Sequence, residues 1–381
     1  MTRVAVKPEL LRWACERAGY QPGDLAARFR QLPAWERGEK RPTFKQLEAF
    51  AKATHTPFGY LFLPEPPEEP LPIPDFRTVR DAGLRRPTPD LLDVVYLCQH
   101  RQDWYRDFAR AGGMESLPFV GAVTVNDDVV RTAATMRETL GFDLDARRQM
   151  PTWTEALRRF IEQADALGVL VMVSGVVGSN NRRKLDPEEF RGFALADPLA
   201  PLVFINGADT KAAQMFTLAH ELAHIWLGQT AVSDSRPAEA PAQVVEHWCN
   251  RVAAELLVPL ESFRAEHNRR AELRDELERL ALRFKVSTLV VLRRMHDAGT
   301  LRGDAYWNAY EEEVRRLREL PKGSGGDFYL TLGARVSKRF ARALVLSTLE
   351  GQTLYRDAFR MLGIKRDATF RELGVQLGVA V

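Results

Sequence analysis

Residues 212–227 read AAQMFTLAHELAHIWL and contain the pattern His-Glu-x-x-His at His220, Glu221 and His224. The window has no Gly or Pro and its apolar residues recur at helical spacing, which predicts one α-helix. Residues i and i+4 share a helix face, so both imidazoles can converge on one metal ion. Glu221 is not needed as a ligand and can take a proton from an attacking water. The pattern favours a catalytic metal centre over the alternative, two surface histidines on an amphipathic helix.

A catalytic zinc site needs a third protein ligand and one open position. The candidates that follow the motif are Glu239, Glu246, His247 and Glu255. Glu246 and His247 are adjacent and point about 100° apart around a helix, so both cannot easily bind the same ion. Spacing alone leaves the choice among the candidates open. The expected ion is Zn²⁺, and Mn²⁺ or Fe²⁺ also suits this ligand type.

The composition of the chain restricts its class. The chain has 381 residues, of which 45% are hydrophobic and 28% charged, and its net charge is +3. Such a length predicts two or three globular domains, and the small net charge does not by itself indicate nucleic-acid binding. No apolar run reaches transmembrane length, and the first residues lack a signal-peptide core. Three cysteines far apart argue against a disulfide framework. We therefore expect a cytoplasmic protein with no membrane segment.

Two stretches around the motif resemble one enzyme family. Residues 217–224, TLAHELAH, and residues 246–259, EHWCNRVAAELLVP, are similar to the ImmA/IrrE metallo-endopeptidases. The similarity spans roughly residues 151–299, and Val252 and Val258 depart from the usual Phe and Met. It implies a small thermolysin-like, zincin-like core with Glu246 as third ligand. It also implies a protein substrate, most plausibly a helix-turn-helix repressor whose cleavage relieves transcriptional repression.

Three strands are predicted before and between the helices of this region, at Gly168–Val173, Phe190–Ala196 and Leu202–Ile205. An exposed sheet edge can pair with an extended peptide and hold it over the metal. The predicted edge is the second strand, with Phe190, Gly192 and Ala194 as pairing residues, and the alternative is an ordinary core strand. No oxyanion donor is identified among the candidates His247, His267, His296, Tyr306 and Tyr310.

The amino-terminal region resembles an Xre/Cro-type helix-turn-helix. The first 60 residues hold 11 basic and six acidic side chains, and residues 35–43, WERGEKRPT, carry the likeness. Thr43 is a predicted N-cap, and Leu25–Phe29 is the predicted second helix. Only residues 30–34, RQLPA, remain for a recognition helix, so base readout is not expected. The candidates for phosphate contacts are Arg28, Arg30, Arg37, Lys40 and Arg41. The alternative is a helical domain that binds a protein.

These observations predict a mostly helical α+β protein. The expected domains are a helix-turn-helix bundle at 1–62, a Pro-rich linker at 63–88, a zinc metallopeptidase domain at 89–320, and a helical module at 327–381 that binds a partner protein. Lys322–Gly326 is the predicted joint before that module. The expected function is regulatory proteolysis. The alternative is a DNA- or protein-binding regulator, such as an antitoxin component, whose metal site is structural or vestigial. A third possibility is a transcription factor gated by proteolysis or by metal occupancy.

Overall fold

The computed structural model describes residues 2–21, 23–75, 86–233, 244–319 and 333–379. The chain forms two compact units, one from Met1–Pro72 with Val79–Tyr96 and the other from Ile73–Thr78 with Leu97–Val381. The predicted mostly helical α+β class is confirmed. No helix in the described ranges is both long and apolar enough to cross a membrane.

The described residues of the first unit that precede the Pro-rich stretch form three helices and a 3₁₀ turn: α1 (Pro8–Arg17), α2 (Leu32–Glu36), α3 (Phe44–Ala53) and Phe58–Phe62. Thr43 caps α3, since its side chain accepts from Gln46 N–H and the Gln46 side chain accepts from Thr43 N–H. This capping box confirms the predicted N-cap. The predicted helix Leu25–Phe29 is wrong. Residues 23–28 form turns closed by i→i+3 hydrogen bonds from Ala26 and Arg28, and the single i→i+4 bond from Phe29 to Leu25 does not extend into an α-helix.

The second unit is built on helices that surround one small sheet. Their bounds are α4 (Pro89–Ala111), which begins in the first unit, α5 (Val129–Leu140), α6 (Leu144–Gln149), α7 (Trp153–Leu167), α8 (Lys211–Leu227), α9 (Val244–Leu257), α10 (Leu260–Glu266), α11 (Leu273–Phe284), α12 (Thr288–Asp297) and α13 (Gly303–Glu319).

The sheet has four strands in the order β1-β3-β2-β4. They are β1 (Leu170–Ser174), β2 (Gly192–Leu195), β3 (Leu202–Asn206) and β4 (Ala231–Ser233). β1 runs parallel to β3, and the other two pairs are antiparallel. The prediction that the second strand is an exposed edge is wrong, because β2 is paired with β3 on one side and β4 on the other. β4 was not predicted, since three residues are too few to show a strand period.

The last three helices are α14 (Lys338–Leu349), α15 (Tyr355–Leu362) and α16 (Asp367–Gln376). They belong to the same compact unit as the sheet, and the division at residue 327 stays a prediction. Arg101 of α4 contacts one of these helices, since its buried guanidinium donates to the carbonyl of Met361, 2.7 Å away. The predicted joint Lys322–Gly326 lies outside the described residues.

Candidate metal centre

The motif lies on α8, which is buried along most of its length. The side chain of Thr210 accepts from Ala213 N–H at the start of the helix, and Gly228 ends it with a φ of 68°. His220 and His224 have no solvent exposure and Glu221 is 1% exposed. α8 packs on β2 and β3 and across α9. The sequence therefore places both imidazoles inside the protein rather than on a solvated helix face, which excludes the surface-histidine interpretation.

The third ligand candidate comes from α9. Glu246 is 2% exposed, and its two oxygens lie 3.2 Å from His220 Nε2 and 3.0 Å from His224 Nε2. The two Nε2 atoms are themselves 3.1 Å apart. Within the described part of the chain, these three residues form the group of His, Cys, Asp and Glu side chains that could hold a metal ion.

The candidate donor atoms are two imidazole nitrogens and the two oxygens of Glu246, and their spacing fits a small divalent cation. Zinc–nitrogen distances of about 2.0–2.1 Å in tetrahedral geometry put neighbouring ligand atoms about 3.3 Å apart. The observed separations of 3.0–3.2 Å are close to that value. Burial acts to raise the pKa of Glu246, but the two imidazoles outweigh it and lower this pKa to about 2. The centre therefore offers one anionic carboxylate and two imidazoles to a cation.

Asn250 supports the first histidine ligand. Its Oδ1 lies 3.1 Å from Nδ1 of His220. An amide oxygen can only accept, so Nδ1 of His220 is the donor and Nε2 keeps its lone pair for a metal. Sequence reasoning did not assign this role. The signal was present, because Asn250 follows Glu246 by four residues and so shares its helix face.

Gly192 of β2 borders the proposed base. A Cβ placed on Gly192 would lie 2.6 Å from Thr217 Cγ2, 2.8 Å from the carbonyl oxygen of Phe204 and 3.0 Å from Glu221 Oε1. Thr217 and Glu221 are one helical turn apart on α8, so the sheet and the helix meet here at backbone distance. Only glycine fits between them, and the close approach fixes where Glu221 lies relative to β2.

Two arginine side chains donate hydrogen bonds to carbonyls at the C-terminal end of α9. Arg137 donates to the carbonyl of Glu255, 2.8 Å away, and Arg147 donates to the carbonyl of Leu257. Both bonds satisfy carbonyls that a helix C-terminus leaves without partners. The carboxylate of Glu255 pairs with Arg294 of α12 and accepts from Leu260 N–H. Glu255 is thus occupied away from the centre and is not a metal ligand, while the candidate Glu239 lies outside the described residues.

The residues predicted to pair with a substrate strand are all in the core. Phe190 is 1% exposed and stacks on Phe204 with ring centroids 6.1 Å apart. Gly192 and Ala194 belong to β2, whose backbone pairs on both sides. These three residues are therefore not available to an added strand.

Two oxyanion candidates have other contacts. His267 pairs with Glu276 at 3.2 Å and stacks on Phe263. The ring of His296 contacts the buried ring of Tyr306 in a tilted arrangement, with centroids 4.6 Å apart. His267 is thus held by its partners and largely buried, whereas the His296 side chain is 46% exposed, and the choice of oxyanion donor stays open.

The five basic side chains predicted to contact phosphate all face solvent. Arg28, Arg30, Arg37, Lys40 and Arg41 are exposed, and Arg37 pairs with Glu39 at 2.6 Å. The helix α2, which overlaps the residues left for a recognition helix in the sequence prediction, has five residues. This short helix agrees with the expectation that the unit does not read bases, while phosphate contact by these side chains stays a prediction.

Comparison with known families matches two parts of the chain. Residues 336–376 match a domain of unknown function, DUF8813. No curated protein matches the chain. Residues 164–296 match the IrrE N-terminal-like domain, a peptidase family, and this range contains every residue of the centre and of β1 to β4. The segment that holds the His–His–Glu centre is therefore similar to a metallopeptidase domain, which supports the ImmA/IrrE resemblance for this part of the chain.

Proposed function

We propose that this protein is a zinc-dependent endopeptidase that cleaves a regulatory protein. The observation that carries the proposal is the buried set of His220, His224 and Glu246, with donor atoms 3.0–3.2 Å apart and Glu221 next to the first of them. A bound zinc would supply Lewis acidity for the attack of water on a peptide carbonyl. Mn²⁺ and Fe²⁺ are alternative occupants, since availability contributes to metal choice.

The protein residues have separate tasks in this reaction. The three ligands hold the ion, and Asn250 orients His220. Glu221 accepts a proton from the attacking water and donates it to the leaving amine. Burial of the carboxylate, at 1% exposure, excludes bulk water that would compete for this proton. A structural metal site has no need of such a base and normally closes its fourth position with another ligand.

The substrate class follows from the ImmA/IrrE resemblance. We propose a helix-turn-helix repressor as the substrate, with the first unit contributing contacts to that protein or to DNA phosphates. The exposed basic side chains of the first unit favour a second candidate function, a DNA- or protein-binding regulator or antitoxin whose metal is structural. The two functions differ in whether Glu221 matters.

Glu221→Gln is the test that separates the two functions. We expect this variant to keep near-stoichiometric metal, measured by elemental mass spectrometry, because no ligand is changed. New protein amino termini should appear in cells that express the wild type and be absent with the variant. Glu246→Ala should lose the metal as well. Identical amino termini and identical regulation with wild type and Glu221→Gln would instead favour the binding regulator.

A further inference from the structure

The edge of the sheet next to the metal centre carries a segment from elsewhere in the chain. Val232 of β4 donates its N–H to the carbonyl of Pro74, 2.9 Å away, and Asp75 forms a parallel bridge with Val232. Ile73, just before them, is 7% exposed. The end of the Pro-rich stretch therefore lies against β4 through one hydrogen bond and one isolated β-bridge, with the side chain of Ile73 buried.

This edge is the one closest to the proposed base. β4 is terminal in the strand order and pairs with β2, where Ser233 is opposite Gly192. A Cβ on Gly192 would touch Glu221 Oε1. The other terminal strand, β1, is separated from β2 by β3. Neighbouring strands lie about 4.8 Å apart, so a chain added to β4 runs roughly two strand spacings from the strand that borders Glu221.

The contact between Val232 and Pro74 uses a backbone N–H of β4 that does not pair with β2. In an antiparallel ladder the N–H and C=O of one residue point to the same side. The N–H of Val232 points outward to Pro74, so it takes no part in the bonds between β4 and β2. Outward N–H and C=O groups of an edge strand are what an extended peptide pairs with, whatever its side chains.

We propose that Ile73–Asp75 is an internal occupant of the sheet edge at which an extended substrate peptide binds, and that it leaves when the substrate arrives. This inference rests on the proposed peptidase function for the identity of the competitor. The occupant and the substrate use the same outward groups of β4, so they exclude each other. The free energy with which Ile73–Asp75 binds to β4 is subtracted from the free energy of substrate binding. The segment therefore lowers the affinity of this edge for substrate.

The test uses a variant designed to displace Ile73–Asp75 from β4. Ile73→Asp puts a charge where a buried apolar side chain lies, and Pro72→Asp is the matched control at the exposed neighbouring position. Both changes are made in the full chain with Glu221→Gln, which holds metal without turnover. The probe is fluorescein-labelled unfolded casein, and binding is followed by fluorescence anisotropy.

We expect Ile73→Asp to bind casein about tenfold more tightly than its parent, with Pro72→Asp unchanged. Hydrogen exchange at the amide of Val232 should be faster in Ile73→Asp than in the parent before casein is added. If Ile73→Asp does not fold, Ile73→Ala gives the same direction with a smaller change. Equal casein affinity with faster exchange at Val232, or unchanged exchange at Val232, would overturn the inference.

The proposed function fails in a different way. If Ile73→Asp tightens casein binding but the same variant with Glu221 intact and metal bound leaves casein uncut, the edge binds peptides without hydrolysis. That result would keep the inference about Ile73–Asp75 and show that casein is bound without being cut; the peptidase function is rejected only if wild type and Glu221→Gln also give identical amino termini in cells. Casein cleavage that rises in Ile73→Asp would support both.

Discussion

The position of Asn250 follows from that of Glu246, one helical turn earlier on α9. Its amide oxygen lies 3.1 Å from Nδ1 of His220, and this contact fixes the ring that presents Nε2 to the metal. Without it, the imidazole of His220 can rotate, and its other tautomer turns a protonated nitrogen toward the ion. The residue thus acts on the metal through a ligand.

Asn250→Ala should weaken zinc binding about 10–100-fold, the usual effect of removing such a partner. A competition titration against a chromophoric chelator measures this affinity. Arg251→Ala, one residue further along α9 and exposed, is the control. An affinity equal to wild type would show that the packing of α8 alone holds His220 in place.

Gly192 sets the distance between the sheet and the helix of the motif. Gly192→Ala should destabilise the second unit by about 1–3 kcal/mol, because the new methyl meets the immobile carbonyl of Phe204 at 2.8 Å. Urea unfolding gives the free energy. The control is Gly112→Ala, where the nearest atom is 3.4 Å away. Equal losses for the two variants would contradict the steric account.

At the scale of elements, α10 and α11 are joined by one carboxylate. Glu276 of α11 accepts from the N–H of Asn268 at 2.7 Å, pairs with Arg279 at 2.8 Å, and contacts His267 at 3.2 Å. Burial acts to raise the pKa of Glu276, but hydrogen bonds from Arg279, from the Asn268 backbone and from His267 lower it from 4.5 to about 2. The ionised form of Glu276 is therefore the form that joins α10 and α11.

This depressed pKa predicts an acid dependence. The unfolded chain binds the proton at its ordinary pKa and the folded chain only near pH 2, so the stabilisation is present above about pH 4.5 and is lost as the pH falls below it. Glu276→Gln should therefore lose less stability than wild type between pH 5 and pH 3 in urea unfolding. Glu278→Gln, with a side chain 53% exposed, is the control. An equal loss in Glu276→Gln and wild type would remove Glu276 from the acid response.

Elements with strong local signals were predictable from sequence. The helix α8 has a Thr cap, an uninterrupted apolar face and a terminal glycine, and the capping box at Thr43 is similarly local. β4 and α2 have three and five residues, and their form depends on tertiary contacts. For the same reason, β2 could not be recognised from the sequence as an internal strand. Its second neighbour, β4, follows α8 in the sequence, so the two paired strands are separated by β3 and α8.

The residues of the candidate site also fall into two groups, those that a local sequence pattern predicts and those that depend on contacts between distant residues. His220, Glu221 and His224 form a local pattern, and Glu246 required a resemblance to single it out. The roles of Asn250 and Gly192 depend on contacts over 30 and 29 residues of sequence, with His220 and Glu221 respectively. Periodicity within one element carries no information about such pairs.

At the scale of the whole molecule, the centre lies in one of two compact units. Its ligands come from α8 and α9, and these helices share one core with α5, α7 and the sheet. The core of the first unit is separate and is built on residues of α1, α2 and α3. A metal that binds only the folded form stabilises the unit that supplies its ligands.

Chelation of the metal should therefore act on one unit. At a free metal concentration of 100 times the dissociation constant, the bound ion contributes about 2.7 kcal/mol, which slows hydrogen exchange through unfolding about 100-fold. Removing it should accelerate exchange in α8 and α9 by up to this factor and leave α1 and α3 unchanged. Peptide-resolved exchange with and without chelator measures this, and Glu246→Ala should not respond to the chelator. Faster exchange in α1 and α3 as well would mean that the two units unfold as one, since the ligands contact only the second.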